Sequence, residues 1–320
     1  MYGFYLVLCQ KLGNLLTFLQ HKPIMGLLEP LSLRRSLMKA DFHMHSSFSD
    51  GSETIMQIYS LAKEQGLKAA AITDHDTILG LKEEEKASKK YCIPFIPAAE
   101  FTAAEKGMKF HVLGYGIDPE NPELLRYSNC FLEQMNERSG RQILKMQQAG
   151  IEIEEKEFFE KAEGGPLYRA KLLGVLADHG LLRREDIMKS LSLYFGKGAP
   201  YEEEDHFTYK SFYKICGMIK EAGGYVVLAH PGKIKRKNRQ LYDALLREDC
   251  LDGVEVYHHD NPEDVRAELL AVAESRRFMV TGGSDYHGIY MKQPALPGSE
   301  KLPEELAVGL KHLLTGYFSL

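Results

Sequence analysis

Six of the twelve histidines fall in five short motifs between residues 43 and 287, and nearly every motif also carries a carboxylate. In chain order these are Asp41-Phe42-His43-Met44-His45 with Asp50, Thr73-Asp74-His75-Asp76, Glu100 followed by His111, Ala229-His230-Pro231, and Ser284-Asp285-Tyr286-His287. Imidazoles and carboxylates in this proportion are the ligand set of borderline-hard divalent ions such as zinc, manganese and iron. A set of this size implies a multi-metal hydrolytic site. His43 and His45 are two apart, so on a strand they share a face and can share one ion. Asp50-Gly51 follows in a tight turn that folds the carboxylate back toward them. The carboxylates beside His75 either orient its ring or cap the following helix. Glu100 ends the apolar run from Ile93 to Ala99. A lone carboxylate is costly to bury there, and bridging two ions removes the cost.

The remaining histidines carry less. His258 and His259 follow Val254-Glu255-Val256-Tyr257 and can reach the same place, but no motif assigns them. His21, His179, His206 and His312 sit in helical or tail contexts and read as surface or packing residues.

These motifs need elements to position them. From residue 40 short apolar runs alternate with amphipathic stretches. Strands are expected over Ala40–His45, Ala69–Thr73, Pro94–Ala98, Phe110–Tyr115, Tyr225–Ala229, Gly253–Tyr257 and Phe278–Thr281. Helices are expected over Ile55–Gln65, Phe212–Ala222 and Asn261–Ser275. Such alternation predicts parallel βα units and an α/β fold. His75, Glu100, His230 and Asp285 each come at or just beyond a strand's last residue, which is where an α/β barrel places its chemistry. Residues 119–221 break the pattern and read as a helical insert between barrel segments 38–118 and 222–320. The acidic runs at 152–157 and 202–205 read as solvated faces. Residues 1–37 lack strand or leader logic and read as an extension that is not native, with Met38 as the start.

Bulk properties narrow the class. With 44% apolar and 27% charged residues the chain is an ordinary globular protein, and no run is long enough to span a bilayer. A net charge of −5 gives no electrostatic footprint for a stable nucleic-acid partner. The five cysteines form no Cys-x-x-Cys pair, so reduced thiols and a cytoplasmic location are expected. No Ser-His-Asp or reactive-Cys constellation competes, and no glycine-rich nucleotide loop is present.

The ordered series His-x-His with Asp-Gly, Thr-Asp-His-Asp, a strand-end Glu, a later His, Ala-His-Pro and Gly-x-Asp-x-His resembles the PHP family, the polymerase and histidinol phosphatase domains. The likeness runs from about residue 40 to 290 and implies a distorted (β/α)7 barrel with three divalent ions that hydrolyses phosphoesters. Carried over by motif, His43, His45, Glu100 and Asp285 hold one ion. Glu100 bridges to a second, completed by His111 and His230, and Asp50, His75 and His287 hold the third. The insert is similar to that of nucleoside 3′,5′-bisphosphate phosphatases and 5′-end exoribonucleases, which grip phosphate with basic residues. Arg169, Lys197 and Lys233 are the candidates for that role here. Pro166-Leu167-Tyr168-Arg169 and the acidic Glu202–Asp205 loop depart from that branch, and a polyanion meets repulsion at such a loop. The resemblance thus implies a small phosphorylated substrate, a nucleotide or a short oligonucleotide end. The rival readings are an amidohydrolase, which shares the first His-x-His and cleaves C–N bonds, and a non-catalytic metal-binding module.

Overall fold

The computed structural model describes residues 37–291, 295–300, 302–303, 310 and 312–313. Residues 1–36, which carry most of the expected extension together with Cys9 and His21, lie outside the described residues.

Chain order explains how the centre is assembled. Leu37–Met38 (β1) pairs antiparallel with Leu302–Pro303 (β9). Ala40–Met44 (β2) runs parallel to Ala69–Ile72 (β3), and both are buried on both faces; β3 is apolar throughout, whereas β2 also buries Asp41 and His43. Between them Ile55–Glu64 (α1) starts with a capping box between Thr54 and Gln57 and buries Ile55, Ile58, Tyr59 and Ala62 at helical spacing. Leu81–Tyr91 (α2) follows β3. A five-stranded sheet then runs in the order Ala98–Glu105 (β4), Met108–Tyr115 (β5), Tyr225–Leu228 (β6), Gly253–Tyr257 (β7) and Met279–Gly282 (β8). The pairings β6–β7 and β7–β8 are parallel, whereas β4–β5 and β5–β6 are antiparallel.

The fold is mixed α/β. Isolated bridges connect its sheets, Met44 with Tyr286, Ala70 with Phe95 and His75 with Glu100. At these junctions the Asp285 N–H donates to the His43 carbonyl at 2.8 Å, and the Glu100 N–H donates to the Thr73 carbonyl at 3.1 Å.

Two strand expectations are corrected. Pro94–Ala98 is not a strand: Pro94 and Pro97 have no N–H to donate, and only Phe95 makes a bridge there. The strand instead begins at Ala98, so Glu100 lies inside β4 and not at a strand end. The uniform parallel pattern also fails at β4–β5. Lys106 and Gly107, at φ 49° and 76°, form a two-residue turn whose left-handed conformation suits a tight hairpin.

The segment between β5 and β6 is helical. Pro122–Gln148 (α3) starts at Asn121, whose side chain accepts from the N–H groups of Glu123 and Leu124. Glu155–Glu160 (α4), Arg169–Asp178 (α5), Ile187–Phe195 (α6) and Phe212–Glu221 (α7) follow. Ile143, Met146, Phe158, Leu172, Leu173 and Ile187 form a separate apolar core here, joined by Tyr290 from beyond β8. The segment's two ends lie side by side: Tyr115 pairs with Tyr225, and the Asp118 N–H donates to the Ala222 carbonyl at 2.9 Å. After β6 come Pro231–Lys237 (α8) and Arg239–Leu245 (α9), and Glu263–Arg276 (α10) precedes β8. Among the described residues no helix is long and apolar enough to cross a membrane.

Candidate metal centre

The structure brings His43, His45, Asp50, His75, Glu100, His111, His230, Asp285 and His287 to one place. Ligand atoms of His43, His45, Glu100 and Asp285 all lie within 4.8 Å of one another. The same holds for His45, Asp50, His75 and His287, and for His75, Glu100 and His111. His230 joins through its Nε2, 2.9 Å from Glu100 Oε1.

Each element delivers its ligand for a local reason. His43 lies within β2 and His45 just beyond it, on the same face. Gly283 lets the chain after β8 press against β2, since a Cβ there would sit 2.4 Å from the His43 backbone nitrogen. His230 (φ 29°) and Asp285 (φ 55°) hold strained left-handed backbones two and three residues beyond the ends of β6 and β8. The His230 N–H is secured by donating to Glu255 Oε2 at 2.7 Å.

Glu100 is the hub. Its Oε2 lies 3.2 Å from His43 Nε2, 3.2 Å from His45 Nε2 and 3.3 Å from His75 Nδ1, and its Oε1 lies 3.0 Å from His111 Nδ1. Burial opposes its charge, but His111, His43 and His75 hold its carboxyl well below the usual range. Asp285 is likewise held well below its ordinary value, against burial, by His43, His258 and His287. Burial acts to lower His43, yet the Glu255, Glu100 and Asp285 carboxylates push it well above the usual imidazole range. His75 goes the other way, down to about 3, because burial outweighs Asp50 and Glu100.

The donor set fits divalent ions. Both ring nitrogens of His45, His75 Nδ1, His230 Nδ1 and Asp50 Oδ1 are buried with no hydrogen-bond partner. Buried polar atoms left in that state are expensive, and a shared cation would satisfy them together. The rings of His45 and His287 stack at 4.1 Å, and those of His45 and His75 at 4.4 Å. Imidazoles this close carry little charge comfortably, which suits neutral ligand rings.

Two residues outside the motifs complete the centre. Glu255, buried within β7, accepts from His43 Nδ1–H at 2.7 Å, which turns His43 Nε2 toward Glu100. The Asp260 N–H donates to His258 Nδ1 at 3.0 Å, so His258 donates through Nε2–H to Asp285 Oδ2 at 3.2 Å. His258 therefore orients a carboxylate from behind. The signal for Glu255 was a charge flanked by Val254 and Val256 in a strand buried on both faces. Glu255→Gln is expected to lower metal affinity and turnover by about 10–100-fold, the usual cost of losing such a supporting contact. A fluorescent metal-competition titration reads this, and an unchanged affinity would mean that the contact orients nothing.

Asp74 and Asp76 neither orient His75 nor cap a helix. Asp74 accepts from Ser46 N–H at 2.7 Å, Ser46 Oγ–H at 2.6 Å and Ser49 Oγ–H at 2.6 Å, pinning the loop that carries Asp50. Asp76 accepts from Thr102 N–H at 2.8 Å and from the Thr102 and Tyr127 hydroxyls at 2.6 Å each. Both are corrected to loop anchors, because the next helix begins only at Leu81.

The three basic candidates fare differently. Lys233 donates to Asp285 Oδ2 at 3.2 Å and lies 3.3 Å from Asp260. Arg169 donates to the Glu203 carbonyl at 2.8 Å and lies 3.5 Å from Asp205, so it is tied within the insert. Lys197 is exposed in the loop after α6. The acidic run is no bare patch, since Glu203 pairs with Arg141 and Lys145, and Asp205 with Arg138. A further residue that the sequence reading did not single out, besides Glu255, is Lys171, which is buried in α5 and donates to the carbonyls of Ser47 and Pro166. Burial lowers it to about 8. His179 and His206 are exposed, and His312 packs edge-on against Tyr225.

Comparison with known proteins identifies the family. The family model of the PHP domain matches residues 41–261. A phosphoribosyl 1,2-cyclic phosphate 1,2-diphosphodiesterase from Eggerthella lenta is 30% identical over 262 residues, covering 80% of this chain and 97% of that protein. A 3′,5′-nucleoside bisphosphate phosphatase from Chromobacterium violaceum is 27% identical, covering 77% and 86%. A solved Bifidobacterium adolescentis structure, provisionally described as a metal-dependent phosphoesterase, superposes with a TM-score of 0.72 at 27% identity, covering 88% and 98%. With the family model matched over most of its length, the chain belongs to the PHP domain family and is a metal-dependent phosphoesterase.

Proposed function

We propose that this chain removes a phosphate from a nucleoside 3′,5′-bisphosphate, or a nucleotide from a 5′-phosphorylated oligonucleotide end, using three divalent ions, with manganese the first to test. The observation that carries the reading is Glu100, a single buried carboxylate facing five imidazoles. His43, His45, Glu100 and Asp285 would hold one ion, Glu100, His111 and His230 a second, and Asp50, His75 and His287 the third. Such ions activate a water for in-line attack and offset charge on the phosphoryl and leaving oxygens.

The chain's own groups bind and orient. Asp50, His111 and Lys233 are the partly exposed members, with side chains 27%, 29% and 34% accessible, so the substrate approaches from their side. Burial works against the Lys233 ammonium, but Asp285, Glu100 and Asp260 keep it charged far past neutrality. It is thereby fixed as a cation beside Asp285, ready for a phosphate oxygen. Arg169 and Lys197 are proposed as further phosphate contacts, and Arg169 must first exchange its contact with Asp205. The seven strands β2–β8 are proposed to form a distorted barrel from residues 38–118 and 222–320, with 119–221 as the insert. Four free thiols, Cys92, Cys130, Cys216 and Cys250, support a cytoplasmic location.

A second reading is favoured by the Eggerthella lenta relative, 97% of which is covered here. On that reading the substrate is a cyclic phosphodiester of a ribose. The test is phosphate release from adenosine 3′,5′-bisphosphate with manganese, with chelator and with Asp285→Asn. Manganese-dependent release that the chelator and the variant abolish is the expected result. Opening of a ribose 1,2-cyclic phosphate without bisphosphate hydrolysis would select the second reading. Metal-loaded protein inactive on both substrates and on 5′-phosphorylated oligonucleotides would sink the substrate assignment.

A further inference from the structure

Cys216, in the middle of α7, and Cys250, just before β7, are 34 residues apart in sequence, yet their Sγ atoms lie 3.0 Å apart. That is closer than two sulfurs pack without sharing a proton or a bond, and only about 1 Å longer than a disulfide. Both thiols are free. Neither touches the metal centre.

The surroundings hold the pair in place. Cys216 is buried in the main core, and Cys250 is partly exposed against it. On one side the Tyr213 hydroxyl donates to Glu248 Oε1 at 2.9 Å. On the other Lys220 pairs with Asp252, which also accepts from the Val226 N–H at 2.7 Å. The two sulfur-bearing segments are thus pinned to each other on both flanks. Contact with Cys216 holds the Cys250 thiol below its ordinary range and pushes Cys216 above it. Solvent access and easier ionisation then coincide on one sulfur, the combination that makes a thiol reactive.

We propose that Cys216 and Cys250 are a reversible dithiol–disulfide pair oxidised by hydroperoxides. The Cys250 thiolate attacks one peroxide oxygen, the O–O bond breaks, and the leaving oxygen takes a proton to become water or an alcohol. The resulting sulfenic acid is attacked by Cys216, which forms the S–S bond and expels water. Two thiols lose two protons and two electrons, and one peroxide is reduced. Cys92 and Cys130 are exposed, and among the described residues neither has a neighbouring sulfur: Cys92 faces the Lys89 carbonyl, and Cys130 accepts from Gln134. The closed loop would span β6, α8, α9, His230 and Lys233, tying that segment at both ends.

The test is peptide mapping of the full chain after hydrogen peroxide, with free thiols alkylated before digestion. The expected product joins the Cys216 and Cys250 peptides with the loss of two hydrogens, and dithiothreitol reverses it. The oxidised protein should melt roughly 5–10 °C above the reduced protein, as a loop of this length predicts. Both effects should vanish in Cys250→Ser and in Cys216→Ala, the second of which keeps a small apolar group in the core. Full alkylation of both cysteines after peroxide, a sulfinic acid at Cys250 with no cross-link, or a bond only between chains would each overturn the proposal.

Discussion

Replacement of Glu100 by glutamine is expected to lower kcat/KM about a thousandfold or more and to strip metal from the centre. Glutamine has the shape of glutamate but no charge. Of the five imidazoles that face this residue, His43 and His111 are held charged with its help, and both would lose that counter-charge at a buried position. Breaking a buried ion pair costs about 3–5 kcal/mol, and about 1.4 kcal/mol is a tenfold change in rate. The amide would also aim an N–H at ring nitrogens or cations that need a lone pair. Glu84→Gln is the internal control. That carboxyl is equally buried, but burial raises it well above the usual range, and it only accepts from the Ile72 N–H at 2.8 Å and the Tyr59 hydroxyl at 3.0 Å. A neutral amide should replace it with little change. Steady-state kinetics with metal content by plasma mass spectrometry reads both variants. Activity within tenfold at full metal content in Glu100→Gln would remove the bridging role.

Metal removal should lower the melting temperature by about 10 °C or more, the scale expected when even one tightly bound ion is lost. The pH dependence of that change has a defined sign. In the metal-free chain His287 is raised to about 9: burial lowers it, but Asp50 and Asp285 overcome this. Its folded value lies above its unfolded value of about 6.5, so its contribution is fully present below pH 6.5 and disappears as pH rises through 9. The metal-free melting temperature should therefore fall between pH 6.5 and 9.5. Metal competes with those same protons, so the increment from metal should grow over the same interval. Calorimetric melts with and without chelator test this, and His287→Gln should flatten the metal-free slope. A metal-free slope of the opposite sign would show that His287 is not held as a cation.

The chemistry was legible in the sequence because imidazoles and carboxylates keep their identity whatever the fold. Gly253–Tyr257 was read to the residue and α1, α7 and α10 to within one or two, α1 and α7 because their apolar periodicity is clean. Hairpin β4–β5 was not legible. Ala103, Ala104 and Glu105 have little strand character, and pairing with β5 holds them extended. Sequence position alone could not separate a cap from a loop anchor at Asp74 and Asp76, since the deciding partners, Ser46, Ser49, Thr102 and Tyr127, come from other elements. Lys171 was hidden for a similar reason. Nothing in the residues around it announces that its ammonium will be buried against the Ser47 carbonyl.

The helix α3 is a measuring rod. Its 27 residues span about 40 Å. It follows Asp118, whose N–H donates to the Ala222 carbonyl, meets the loop after His75 where Tyr127 bonds Asp76 and Ser128 accepts from the Ile78 N–H, and then runs on to Asn136, which accepts from the Leu167 N–H. Asp76 and Ile78 fix its lower part to the ligands, while Asn136 sets the height of α5 with Tyr168 and Lys171. One extra turn between Ser128 and Asn136 would lift that upper part by about 5.4 Å and pull Lys171 away from the Ser47 carbonyl, in the loop that carries Asp50. The length of α3 and the position of the Asp50 loop are thus coupled, so this helix cannot change length without a compensating change at Lys171.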